Sequence, residues 1–258
     1  MPSSRSPERT RGYTLLELMV ALLVLAVLAA GLALPLAAQL HARRLQQTRA
    51  TLGEAKEALL GFAAAHGRLP CPATAASRGL EAFAPGASEA SGACADFHGG
   101  WLPAAALGLA PLDAEGFLRD GWEGERNRIR YAVHAGALGG VAHALTRTQG
   151  LQAAGLAAVG AASHYLFVCG DGRSANASGC GPAAHQLTRR AAFVLVAPGP
   201  NAAAQPAAGS DEARNADGDA VFVSREPSDA PGREFDDVVD WMAVHLLVNR
   251  LIVSGRLP

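Results

Sequence analysis

The chain has 258 residues, half of them hydrophobic and 17% charged, and carries a formal charge of −1. That balance excludes a nucleic-acid-binding module, which needs a concentrated basic face. It suits one domain with its own core joined to an apolar segment.

Residues 1–12 set Arg5, Arg9 and Arg11 against Glu8 among serines and prolines, the composition of an address and not of a packed element. Without them the remaining chain carries −3. The address ends in Gly12, and Tyr13-Thr14-Leu15-Leu16 leads to a lone Glu17 at the mouth of an apolar run, Leu18 to Ala38, with no charged or strongly polar side chain. About 21 residues at 1.5 Å each make roughly 30 Å, the thickness of a bilayer core. The basic leader predicts a cytoplasmic N-terminus and a C-terminal bulk across the membrane. A simple signal anchor accounts for the run alone, whereas a secretory signal peptide would be shorter and end in a small-residue cleavage site.

Gly12 followed by Tyr13-Thr14-Leu15-Leu16-Glu17 and this helix resembles the class III signal of type IV pilins and type II secretion pseudopilins, with tyrosine where phenylalanine is more usual. The resemblance implies a prepilin peptidase/methyltransferase that cuts after Gly12 and methylates Tyr13. It also implies other pilin or pseudopilin subunits and the inner membrane as partners. Glu17 then pairs with the N-terminal amine of a neighbouring subunit, since a carboxylate in an apolar helix is costly unless a partner meets it. The rival reading is a glutamate that snorkels to the headgroups.

Helix is predicted from about Thr14 to His66, with a kink or local melting at Pro35, which lacks a backbone donor. Beyond the membrane run, Leu45, Leu52 and Leu59 recur every seven residues beside Thr48, Ala55 and Phe62. Arg43, Arg44, Gln47, Arg49, Glu54 and Lys56 supply the wet side. Gly67 and Pro70 end the helix. The expected organisation is a cleaved leader at 1–12, a transmembrane helix half at 13–40, an amphipathic half at 41–67 and a globular domain at 68–258.

Residues 68–111 read as a long connection. Ile129, Tyr131 and Val133 alternate as a half-buried strand. Residues 141–160 read as a short helix or an irregular excursion. Strands follow at 164–169, 192–197 and 220–224. A closing strand over 234–242 leads into a terminal helix at 244–253, unless Asp236 and Asp237 cap one continuous helix. The fold class is α+β: a long N-terminal helix packed on a small antiparallel sheet, with a short C-terminal helix.

All four cysteines, Cys71, Cys94, Cys169 and Cys180, follow the apolar run, and an even count in an oxidising compartment favours two disulfides. Three pairings are open, and proximity favours Cys71 with Cys94 and Cys169 with Cys180. A zinc site lacks its Cys-x-x-Cys spacing.

Asp211, Asp217 and Asp219 offer oxygen ligands of the kind calcium prefers. Ala220 stands where an EF-hand needs glycine, and a solvated acidic loop is the plainer reading. No cofactor is otherwise expected. Nor is there a nucleophile elbow, a His-Glu-x-x-His motif or a phosphate loop, so an enzyme is not expected. The reading is a structural subunit of a secretion pseudopilus or a pilus-like fibre, minor or specialised. The alternative is a periplasmic binding or enzymatic domain that uses the segment only as an anchor.

Overall fold

A computed structural model of the protein describes residues 14–258 apart from 123 and 205, and apart from the side chains of residues 29–35. The chain divides into two compact units, residues 1–43 and 44–258. One helix, α1, is assigned from Leu15 to His66. Within the first unit its described side chains are exposed throughout. Among the described residues no helix is long and apolar enough to cross a membrane.

Within the second unit α1 becomes one-sided. Leu52, Ala55 and Leu59 are buried, joined by Leu60 and Ala63, and they share a core with Tyr131, Val133, Phe193 and Leu195 of the sheet. Thr48 lies on the same stripe and is fully buried; its hydroxyl accepts a hydrogen bond from the Gly121 amide at 3.0 Å. A Cβ on Gly121 would strike the Arg44 carbonyl, so the absence of a side chain is what permits this approach. Lys56 departs from the expected wet side: it is half-buried and its ammonium meets Asp240 at 2.8 Å. The helix stops where Gly67 takes φ 69° and its amide returns to the Ala63 carbonyl at 2.8 Å.

Among the described residues of 68–129 there is one 3₁₀ turn, Ala75–Ser77, with isolated bridges in place of strands. Cys71 and Cys94 are bonded within this stretch. Arg68, nearly buried beside them, is held by Glu81 at 2.7 Å and by Glu89 at 3.2 Å. Each charge removed from water thus has a counter-charge and hydrogen bonds.

Five strands follow: β1 (Arg130–Val133), β2 (Leu166–Cys169), β3 (Gln186–Ala197), β4 (Val221–Val223) and β5 (Val238–Ala243). The twelve-residue β3 is the centre. Antiparallel β5 runs along one side, and β1 and β2 pair in succession along the other, both antiparallel to β3. β4 adds to β2 in parallel, so the sheet is mixed and not antiparallel as expected. A parallel neighbour needs a long crossover, here the path through β3 and the residues after it.

The stretch Ala191–Ala197 is buried at every position because both sheet faces are covered. One face meets α1, and on the other Ala132, Leu166, Val194, Val196 and Phe222 form a separate cluster. The half from Gln186 to Arg190 is largely exposed, and its lack of an apolar run hid it from the sequence pattern.

Of the helices after α1, α2 (Gly150–Ala161) is two helical pieces broken at Gly155, where φ is 77° and ψ 153°. Arg190 supplies hydrogen bonds to the carbonyls of Val159, Gly160 and Ala162 at its end. A short helix, α3 (Asp211–Arg214), opens with Ser210 accepting from the Ala213 amide. The terminal helix α4 (Val244–Val253) begins directly after β5, burying Val244, Leu247 and Leu251. Asp236 and Asp237 precede the strand and cap no helix.

Candidate functional site

The start of α1 is held by local hydrogen bonding between Thr14 and Glu17. The first amides of a helix have no intrahelical acceptor, and Thr14 and Glu17 supply two. The Thr14 hydroxyl accepts from the Glu17 amide at 3.3 Å, and the Glu17 carboxylate accepts from the Thr14 amide at 3.3 Å and from its hydroxyl at 3.4 Å. This reciprocal pair is a capping box, legible in the spelling Thr-x-x-Glu yet passed over in reading Glu17 only as a charge awaiting a neighbour. Both contacts to the carboxylate use Oε2; among the described residues Oε1 accepts no hydrogen bond.

Behind the cap the described large side chains of α1 in the first unit have no cover of their own. Leu15 and Leu16 are 73% and 72% exposed, and Leu18, Met19, Leu22, Leu23 and Leu25 follow them. A contiguous apolar surface of this size marks a contact with lipid or protein. Gly12 and Tyr13 lie outside the described residues. The helix assignment continues through Pro35, whose side chain also lies outside them.

All four cysteines are paired, Cys71 with Cys94 and Cys169 with Cys180, in bridges separated by 23 and 11 residues in sequence. The second bridge packs with Ala175 and Val221 in a small cluster under β4.

The acidic residues singled out for calcium are engaged by arginines. Asp211 meets Arg225 at 2.5 Å and accepts from the Gly172 amide. Asp217 and Asp219 each lie 3.5 Å from Arg214, and Asp219 also accepts from the Val221 amide. The carboxylates whose oxygens do come together, within 4.8 Å of one another, are Glu212, Asp236 and Asp237. Sequence reading missed this group because its members are remote in the chain and join only when β5 docks.

Glu212 receives the Asn201 side-chain amide at 3.0 Å and the Asp236 backbone amide at 2.9 Å, and Asp237 receives Asn215 at 2.8 Å. Burial, followed by the Glu212 charge, pushes Asp236 up to about 7; burial raises Asp237 well above the carboxylate range.

Neither a curated protein nor a solved structure matches the chain. Residues 9–33 match the family model for the prokaryotic N-terminal methylation motif, the prepilin-type signal of type IV pilins and pseudopilins.

Proposed function

We propose that the protein is a structural subunit cleaved after Gly12, methylated on the new amine of Tyr13, and assembled through α1 into a type II secretion pseudopilus or a type IV pilus-like fibre as a minor or specialised subunit. Before assembly, Leu18 to Ala38 holds it in the bacterial inner membrane as a single pass, with the globular unit in the periplasm. The observation that carries this reading is the methylation motif at 9–33 running into a helix whose large apolar side chains are exposed. Such a surface stays soluble in lipid and is buried again between helices of neighbouring subunits. The two disulfides favour an oxidising compartment for the globular unit.

Glu17 has two roles in this scheme. Oε2 fixes the start of its own helix, and Oε1 receives the Tyr13 amine of a neighbour, with the low dielectric strengthening the attraction. Mass spectrometry of the N-terminal peptide from membrane extracts tests the processing step. A peptide beginning with N-methyltyrosine at residue 13 is expected. A peptide that retains Met1 contradicts the reading and leaves a periplasmic binding or enzymatic domain on a simple anchor.

A further inference from the structure

The sheet face turned away from α1 borders a cavity of about 460 Å³. Its floor is the paired residues Arg130 of β1 and Val196 of β3, and Pro198, Asn201, Pro206 and Glu212 stand on its far wall. Alternation along β1 explains the placement. Tyr131 and Val133 point into the core shared with α1, so Arg130 and Ala132 point to the opposite face.

The charged side chains around this cavity are mostly spent. Arg128 is held by Asp113 at 2.8 Å and Glu115 at 2.6 Å and lies over the Phe117 ring. Arg126 donates to the Ala203 carbonyl at 3.2 Å. Glu212 and Asp237 accept from Asn201 and Asn215.

Arg130 differs from them. Among the described residues its guanidinium makes no hydrogen bond, ion pair or ring contact, and the residue is half-buried. Asp237 and Asp96 act on it only from beyond ion-pair distance. A guanidinium carries five N–H donors in a rigid plane, and none of those of Arg130 is sealed off from the cavity or from water.

We propose that Arg130 anchors a binding site for a small organic monocarboxylate, whose two oxygens take its forked donors and whose apolar body lies against Trp101, Val196, Pro198 and Pro206. The planar fork matches a carboxylate in a bidentate geometry. Apolar walls interrupted by a few charged and amide side chains, with Arg130 at the floor, have the make-up of a small-molecule pocket. Inorganic phosphate is disfavoured, because it has no apolar body to lie against Trp101, Val196, Pro198 and Pro206.

Equilibrium titration of the full chain in detergent with benzoate, hexanoate and indole-3-acetate, each beside its amide, tests the site. Saturable binding of at least one acid is expected, weakened about tenfold or more in its amide and in Arg130→Gln, and unchanged in Arg173→Gln on a different loop. If Arg130→Gln does not fold, the comparison of acid with amide on the unaltered protein decides. No saturable binding of any of the three acids up to about 10 mM overturns the proposal. Equal binding of acids and amides, equal binding by folded Arg130→Gln, or tighter binding of inorganic phosphate overturns it too.

Discussion

Thr14 and Glu17 cap the same helix reciprocally, each side chain accepting the other's backbone amide at 3.3 Å. The carboxylate at the mouth of the apolar run is therefore a local structural group as well as a charge. Its two functions separate by substitution, because glutamine keeps the hydrogen-bonding shape of the capping box and removes the charge. Alanine at Thr14 does the reverse. Thr14→Ala should fray the first turn of α1 at a cost of about 1 kcal/mol. Faster amide hydrogen exchange confined to the residues after Thr14 is the expected readout.

Leu59 lies fully buried where α1 meets the sheet, in the same core as Tyr131 and Phe193. Leu59→Ala should lower the unfolding free energy by about 2–5 kcal/mol through lost burial and the cavity left behind. Leu22, exposed in the first unit, has no such packing to lose. Leu22→Ala should leave the unfolding free energy of the second unit within about 0.5 kcal/mol of the unaltered protein.

The disulfides constrain unfolded loops of different length. Replacing both cysteines of the Cys71–Cys94 bridge by alanine should cost about 3.5 kcal/mol, and replacing Cys169 and Cys180 about 2.8 kcal/mol, on loop-closure entropy alone. Urea unfolding of the two double variants under identical conditions gives the order, with the first expected to be less stable.

The carboxyl of Asp236 binds its proton more tightly when folded, rising from 3.8 to about 7. Between those values the folded state holds more protons than the unfolded one, so its contribution is present at low pH and is lost as pH rises toward 7. Asp237 shifts in the same direction. Thermal unfolding should show a higher midpoint near pH 5 than near pH 8 over this component. Asp236→Asn should flatten the slope.

The sequence made some of these features legible and hid others for physical reasons. Leu52, Ala55 and Leu59 announced their buried stripe because a helix repeats within a few residues. The run Ala192–Ala197 announced a strand, and the structure shows it covered on both faces. The direction of β4 was hidden, since parallel or antiparallel pairing depends on where the chain returns and leaves no mark in three apolar residues. Lys56 read as solvent-facing because its partner, Asp240, is 184 residues away. The unengaged Arg130 was hidden likewise: its β1 neighbours give the face it occupies, but only the folded surroundings show which of the nearby acids fail to reach it.

Incorporation of Glu17→Gln and Thr14→Ala chains into fibres, measured beside cleavage after Gly12 in the same cells, tests most directly the pairing of Glu17 with a neighbouring amine. Both chains are expected to be cleaved. Thr14→Ala is expected in fibres at near the unaltered level, with Glu17→Gln reduced about tenfold or more as the charge pair is lost. Normal incorporation of cleaved Glu17→Gln would contradict the pairing and reduce Glu17 to a helix cap.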